Sequence, residues 1–430
     1  MKPIALPLAV MAMASPAFAQ ESRLDALERQ LADQRQRIHQ LEALVARQAA
    51  LLERIDTTPP SSAPASAPPS QLAAATTAVT GTATAQATAP ASAMRIPGLD
   101  VSGDLRIRQE WNYGAARDRS RSVLRARLRA SYAVADKLSI GTQIATGDPD
   151  DPNSTDVTLG NFLDDFAVSL DQAFVRYADG GFTAVAGKFP QIFQRTDMVW
   201  DGDVSPQGFG VSYAIGLGGG AKADVRALYF VVDEASAARD SDMLGGQVTF
   251  AAPLTSDIKL GLAGSYYHYR LGSVTGADAG DFRGNLVSAG RYLSDFHLIE
   301  GLGSLTYAGL SPRWPLAFTA DYVRNLGAAV PGDTGFNLEL AAGRTAQRGD
   351  WRVAYNYSEV QVDAVFAAFS HDNLDLSTNY RLHGLGIGYV PASNLLLDLA
   401  WYHYRPLDAR YTTAPLDWLD RIRLNLMVSF

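Results

Sequence analysis

The chain ends with Arg421-Ile-Arg-Leu-Asn-Leu-Met-Val-Ser-Phe430, in which apolar side chains alternate with largely polar ones. Successive side chains of a β-strand point to opposite faces, so this segment predicts one apolar face and one face that carries Arg421 and Arg423. A soluble sheet can show the same alternation, but it would seldom end on an aromatic residue such as Phe430. A lipid-facing strand with an aromatic side chain at the membrane interface accounts for both features. The segment therefore predicts the last strand of an outer-membrane β-barrel.

The N-terminus has the features of a secretory signal peptide. Lys2 provides a basic start, residues 4–14 are apolar, and Ala17-Phe18-Ala19 has the small-x-small pattern of a cleavage site. We expect residues 1–19 to be removed on export, so that the mature chain begins at Gln20. No later segment has about eighteen consecutive apolar residues, and the sequence predicts no transmembrane helix in the mature chain.

Composition argues against several classes of function. The formal net charge of −8 argues against a nucleic-acid partner, and the absence of cysteine is compatible with an oxidising periplasm. The six histidines form no H-E-x-x-H motif, and the adjacent pair His371-Asp372 lies in a long loop. The acidic run from Asp148 to Asp156 lacks the spacing of an EF-hand and is interpreted as a surface loop. We expect no enzyme, no catalytic residues, no metal site and no cofactor.

Two segments precede the barrel. Residues 20–54 carry Leu, Ile or Val at every a position of a heptad from Leu24 to Leu52, although two of the d positions are glutamine. This pattern predicts a short α-helical coiled coil; a lone amphipathic helix is the alternative, but its narrow stripe would have nothing to bury against. Residues 55–96 are rich in Ala, Thr, Pro and Ser and predict a disordered linker.

Residues 97–430 consist of short alternating runs separated by turn residues, with short turns and longer polar loops in alternation. That rhythm predicts an all-β transmembrane barrel of about 16 antiparallel strands, with fourteen or eighteen as alternatives. An even count returns the C-terminus to the side where the chain entered, so the coiled coil would be periplasmic. The candidate strands run near 99–111 and 123–134, and the others centre on Ile140, Val175, Val185, Val211, Ala227, Val248, Leu262, Leu302, Phe318, Leu338, Val353, Ile387, Leu399 and Leu426.

One face of three candidate strands carries arginine. The seven residues are Arg106, Arg108, Arg125, Arg127, Arg129, Arg421 and Arg423. Closure of a barrel makes its last strand a neighbour of its first, so we expect these side chains to form one basic wall that faces the lumen. Stacked like charges are unfavourable unless carboxylates, water or permeating anions offset them. The wall is either a pore-lining ladder, the interpretation that we favour, or a structural face paired with Asp100, Asp104 and Glu110.

The segment from Gly187 to Asp203 is too polar and proline-interrupted for a strand, yet too apolar for a solvated loop. Its large apolar residues are Ile192, Phe193, Met198, Val199 and Trp200. Strand counting makes it the third extracellular loop, and an inward fold would bury these side chains. Its charged residues Lys188, Arg195, Asp197, Asp201 and Asp203 would then form a constriction, with the three aspartates across the lumen from the arginines. The alternative is a surface loop packed on its neighbours.

Four stretches resemble the putative porin family of Gram-negative bacteria. They are Gly103-Asp-Leu-Arg-Ile-Arg-Gln-Glu110, Ala145-Thr-Gly-Asp-Pro-Asp-Asp-Pro152, Leu170-Asp-Gln-Ala-Phe-Val-Arg-Tyr177 and the segment 187–203. The resemblance covers about residues 97–430 and leaves out the coiled coil and the linker. It implies a trimeric diffusion channel of the outer membrane, but it does not supply a solute.

The predicted function is therefore passive diffusion of small hydrophilic solutes or ions through a water-filled barrel. The alternatives are a substrate-specific channel for phosphate, organic acids or sugars, and a structural tether from the outer membrane to the cell wall through the coiled coil. The expected partners are outer-membrane lipid and lipopolysaccharide, two further copies in a homotrimer, and the peptidoglycan. The barrel assembly machinery is a further partner, for which Phe430 would be the C-terminal signal.

Overall fold

The structure is a computed structural model that describes residues 96–114, 118–160, 162, 165–273 and 283–430. The predicted signal peptide, the predicted coiled coil and the predicted linker up to residue 95 lie outside the described residues. Within the ranges described, no helix is long and apolar enough to cross a membrane.

Sixteen strands of seven or more residues form one closed antiparallel barrel within the described part of the chain. They are β1 (Leu99–Tyr113), β2 (Arg119–Ala135), β3 (Leu138–Thr146), β4 (Val168–Asp179), β5 (Phe182–Lys188), β6 (Gln207–Gly218), β7 (Ala221–Asp233), β8 (Ser241–Pro253), β9 (Ile258–Leu271), β10 (His297–Tyr307), β11 (Leu316–Asn325), β12 (Thr334–Gly343), β13 (Trp351–Val360), β14 (Tyr380–Ala392), β15 (Leu395–Pro406) and β16 (Leu419–Ser429). The predicted count is confirmed, and every predicted strand position falls within an observed strand.

The last strand closes the barrel against the first. β1 pairs with both β16 and β2, and Asp104 lies opposite Ser429 in the first of these pairings. The backbone N–H groups of Gly103 and Phe430 each donate to the other residue's carbonyl oxygen at 3.0 Å. Closure leaves the sheet without an unpaired edge, which is what a bilayer requires because lipid cannot satisfy backbone polar groups.

The two faces of the barrel differ as the alternation predicts. On β16, Leu424, Leu426 and Val428 are 36–45% exposed on the outer face, whereas Arg423, Asn425 and Met427 alternate with them and are buried on the lumen side. An apolar exterior around a polar interior is the pattern of a barrel whose outer surface contacts lipid.

Turns and loops are segregated to opposite ends of the barrel. Two-residue turns at 136–137, 180–181, 219–220 and 393–394 lie at the end where β1 begins. The long connections lie at the other end, and they include L2 (147–167), L3 (189–206) and L7 (361–379). L2 contains the short strand Val157–Thr158, which pairs with β2, and L7 contains the 3₁₀ helix Ala367–Phe369.

L3 and L7 fold into the barrel instead of extending from it. Phe193 and Trp200 of L3 and Phe366 and Phe369 of L7 are less than 5% exposed, and they join one cluster with inward-facing residues such as Phe230. Each buried aromatic side chain removes about 150–250 Å² from water, so the cluster holds both loops strongly. The predicted burial of the apolar residues of L3 agrees with this arrangement, and the lumen beside β1, β2 and β16 stays polar.

Candidate functional site

Three neighbouring strands bring the seven predicted arginines onto one face. Arg106 of β1 lies opposite Arg125 of β2, and Glu110 of β1 lies opposite Arg423 of β16. Alternate residues of a strand share a face, so the same register carries the other arginines to the lumen side. We call this set the arginine wall: Arg106, Arg108, Arg125, Arg127, Arg129, Arg421 and Arg423.

Asp104 lies at the centre of the arginines of β2. Its carboxylate accepts hydrogen bonds from Arg125 at 3.0 Å, from Arg127 at 3.0 Å and from Arg129 at 3.1 Å. The side chain is nearly inaccessible to solvent, and such charge-assisted bonds are stronger than neutral ones. One strand carboxylate therefore offsets part of the repulsion among three guanidiniums.

Glu110 has the same role at the other end of β1. It accepts from the Nε atoms of Arg121 and Arg423, both at 2.7 Å, and Arg421 lies 3.8 Å away. Arg121 was not among the predicted residues; its position four residues before Arg125 on the same face of β2 could have identified it. The structural alternative considered for the wall therefore holds in part, since Asp104 and Glu110 do pair with it.

Two further carboxylates reach the wall from loops. Asp156 of L2 accepts from Arg108 at 2.7 Å and also from Arg106, and Asp203 of L3 accepts from Arg127 at 2.8 Å. The predictions for both aspartates were wrong in position: Asp156 is not on a solvated loop surface, and Asp203 is not across the lumen. Each carboxylate forms charge-assisted hydrogen bonds with guanidiniums of the wall, and these bonds hold both loops inward.

The wall keeps an excess of positive charge. With Arg121 added, eight guanidiniums pair with five carboxylates, which leaves three positive charges unbalanced within this group. The five carboxylates are Asp104, Glu110, Asp156, Asp203 and Asp375. The positive excess is smaller than the seven arginines alone suggest, because the loops contribute carboxylates to the wall. Sequence patterns do not show which loop carboxylates these are.

The other predicted residues of L3 are divided between two places. Arg195 donates to the carboxylate of Asp197 at 3.1 Å and to the backbone oxygen of Trp200 at 2.7 Å, and Asp201 is buried beside them. Lys188 lies apart at the end of β5, where its Nζ is 4.0 Å from Asp171. L3 therefore brings Arg195, Asp197, Asp201 and Asp203 together, and Lys188 stays outside this group.

Two carboxyls of L3 ionise differently although they are two residues apart. Burial, with the charges of Asp197 and Asp372, raises the pKa of Asp201 well above its usual range. Burial also acts to raise the pKa of Asp203, but the guanidiniums of the arginine wall outweigh it and lower that pKa. Asp203 is therefore the L3 carboxylate that stays charged against the wall.

Sequence reasoning missed the part played by L7. Trp200 of L3 stacks on Phe369 of L7, and the backbone N–H of Asp201 donates to the Phe369 carbonyl at 2.7 Å. The N–H of His371 donates to the carbonyl of Asp197 at 3.0 Å. The run Val365-Phe-Ala-Ala-Phe369 could have predicted that L7 is buried. All five of its residues are apolar, and it was the large apolar residues of the segment 187–203 from which the burial of L3 was predicted.

L7 is also fastened to the wall. Arg421 donates to the backbone oxygen of Asn373 at 3.0 Å and pairs with the carboxylate of Asp375. Arg423 donates to the side-chain oxygen of Asn373 at 2.7 Å. The two arginines of β16 therefore hold L7 against the wall.

A cavity of about 400 Å³ lies between the wall and the inward loops. Its cationic side is lined by Arg106, Arg108, Arg125, Arg127, Arg129 and Arg423. Its other sides include Asp197 and Asp201 of L3, His371 and Asp372 of L7, and the amides of Asn337 and Asn356. The other sides also carry Arg195 and Arg352, so the cavity is a small polar space with charges of both signs, in which most of the guanidiniums lie on the wall.

A closed sixteen-stranded barrel with an apolar exterior and a polar lumen defines a β-barrel channel of the outer membrane. The chain belongs to the family described as "Putative porin", which it matches over residues 83–280 and 313–430. A comparison with curated proteins found no match.

Three solved bacterial structures align with the barrel. OprB of Pseudomonas putida, solved at high pH, aligns with a TM-score of 0.53 at 13% identity over 77% of this chain and 94% of that chain. OmpF of Salmonella typhi in complex with daunomycin gives 0.48 at 15% identity over 77% and 97%. A loop L8 deletion mutant of OmpT, an outer membrane protein of Vibrio cholerae, gives 0.47 at 13% identity over 77% and 100%. At this identity, the likeness to OprB concerns the fold.

Proposed function

We propose that the protein is a porin through which small hydrophilic solutes and ions diffuse passively, with a preference for anions. The observation that carries this proposal is the cavity of about 400 Å³ between the arginine wall and the loops, inside a closed barrel. A wall with three unbalanced positive charges attracts anions into a space where low-dielectric surroundings strengthen the field.

L3 is proposed to narrow the passage, together with L7. The two loops share a buried aromatic cluster on one side of the lumen, and the arginine wall stands on the other. Solutes would be filtered by size between these surfaces. In this account the field is set mainly by the wall and by Asp203, because Asp203 stays ionised whereas burial disfavours the charged form of Asp201.

The proposal also includes the segments that precede the barrel and the partners of the protein. The signal peptide, the coiled coil with its periplasmic location, and the linker would precede the barrel. The coil would either support a homotrimer or tether the barrel to peptidoglycan, and lipopolysaccharide would surround the exposed end. Deletion of residues 20–94 distinguishes the two roles of the coil. Loss of the trimer with intact conductance would assign the coil to trimer assembly, and envelope blebbing with intact conductance would assign it to tethering.

The proposed channel is tested with purified protein in planar bilayers and in liposomes. Stepwise conductance, together with swelling rates that fall steeply as the solute grows, is the expected result. Folded protein that gives neither conductance nor swelling would contradict the proposal. A fold reporter, such as heat-dependent migration in gels, must accompany both measurements so that misfolded protein is not counted.

A further inference from the structure

The arginine wall contains one place where buried donors have no partner. The Nε atoms of Arg106 and Arg125 lack a hydrogen-bond partner among the described residues, although the two side chains are only 11% and 7% exposed. Arg106 and Arg125 lie directly opposite each other across β1 and β2. Both side chains also line the cavity, so their guanidiniums, whose donors are not all satisfied within the protein, can bind an external oxyanion there.

Loop carboxylates flank this pair on both sides. Asp156 binds Arg106 and Arg108, while Asp203 binds Arg127 and lies 3.8 Å from Arg125. Both carboxylates are about one-eighth exposed, and Asp203 is one of the residues that line the cavity.

The two loops hold these carboxylates as a unit. The hydroxyl of Thr155, the residue before Asp156, donates to the second oxygen of Asp203 at 3.0 Å. L2 and L3 are thereby joined at the wall. Asp104, in contrast, belongs to β1 itself and cannot move away from the arginines without distortion of the barrel.

We propose that Arg106 and Arg125 are the centre of a saturable binding subsite for a small oxyanion, and that Asp156 and Asp203 compete with the solute for the same guanidiniums. The shared ligand chemistry is a carboxylate or phosphate group with two acceptor oxygens, which matches the fork of a guanidinium. This inference rests on the proposed function, since it assumes that solutes pass the arginine wall. It assigns to the two aspartates the role of tethered counter-ions that weaken binding and thereby allow release.

The experiment measures chloride current through single channels as inorganic phosphate is added at constant ionic strength. The expected result is saturable inhibition in the wild type. Asp203→Asn should strengthen inhibition about tenfold, because one charge-assisted competitor is lost, and Arg125→Gln should weaken it by about the same factor. Succinate in place of phosphate tells whether the subsite also accepts carboxylates.

A matched control makes the same charge change on L2, the loop that carries Asp156. Asp150 is exposed on L2 and does not contact the wall, so Asp150→Asn should leave the phosphate dependence unchanged. Thr155→Val unties L2 from L3 without a change of charge, and it should strengthen inhibition even if Asp203→Asn fails to fold. Normal conductance without saturable inhibition would overturn the inference, as would an equal effect of Asp150→Asn and Asp203→Asn. Absence of conductance from folded wild type would instead contradict the proposed function.

Discussion

Trp200 of L3 stacks on Phe369 of L7, with ring centroids 5.4 Å apart and an angle of 14° between the planes. Phe230 of β7 stacks on Phe369, with ring centroids 5.1 Å apart, so the contact between the two loops is anchored to the barrel. The geometry of the proposed constriction therefore depends on two loops that are more than 150 residues apart in the chain, and loosening one should disturb the other.

Replacement of Phe369 by alanine should widen and destabilise the proposed constriction. Truncation of a buried phenylalanine costs about 3–5 kcal/mol, and here the loss falls on the contact that joins L7 to L3. We expect a larger and noisier single-channel conductance. Tyr229→Ala, which removes an exposed aromatic side chain from the outer face of β7, is the control and should leave the conductance unchanged. Equal conductance in all three proteins would argue against a role for L7.

Replacement of Asp104 by asparagine should destabilise the barrel. The carboxylate is buried among Arg125, Arg127 and Arg129, and removal of one partner from a buried ionic network costs about 3–5 kcal/mol. Unfolding in urea, followed by gel migration, measures the effect. Asp100→Asn changes an exposed carboxylate of the same strand and should stay within about 0.5 kcal/mol of the wild type. A similar small effect for Asp104→Asn would mean that the arginines do not need this counter-ion.

Acid should weaken the docking of L7. Burial lowers the pKa of His371 from 6.5 to about 4; Asp372 opposes the shift, and Arg423 and Arg283 reinforce it. His371 is protonated below about pH 6.5 when L7 is undocked, but only below about pH 4 when L7 is docked. The contribution of neutral His371 to docking is therefore complete above pH 6.5 and is lost as the pH falls towards 4.

Hydrogen exchange of the amides of L7 measures this effect. Exchange should be faster at pH 5 than at pH 7.5 after correction for the intrinsic rates. His371→Gln removes the titrating group, and it should abolish the difference between the two conditions. A pH dependence that persists unchanged in His371→Gln would assign it to another group.

Deletion of Phe430 should impair assembly of the barrel. Its backbone makes two hydrogen bonds with Gly103 across the closing pair of strands, and its ring is 58% exposed on the outer face. We expect less folded protein in the outer-membrane fraction, measured as the heat-modifiable band. Phe430→Trp keeps both the backbone contacts and an aromatic ring, and it should restore the yield. A normal yield without Phe430 would remove its proposed role as a C-terminal signal.

The barrel strands were predictable because their signal is local. Leu424, Leu426 and Val428 alternate with buried polar residues, and a period of two residues is fixed by the geometry of a single strand. The arginine wall was predictable for the same reason, since Arg125, Arg127 and Arg129 share one face of β2. Closure then follows from the rule that a barrel has no free edges.

The positions of the loop carboxylates were not predictable in this way. Asp156 and Asp203 reach the wall through ion pairs with its guanidiniums, and no periodicity in L2 or L3 encodes that contact. The inward fold of L7 depends on Phe366 and Phe369 finding a hydrophobic cluster built by other strands. Such features arise from tertiary packing, which a local pattern can suggest but cannot locate.

The central claim is that the arginine wall gives a water-filled channel its preference for anions. The most direct test is the zero-current potential across a planar bilayer under a KCl gradient, for the wild type and for a variant with Arg125, Arg127 and Arg129 replaced by glutamine. The account predicts stepwise openings with a potential that favours chloride in the wild type and shifts towards potassium in the variant. A potential that favours potassium in the wild type, or that is unchanged in the variant, would contradict it.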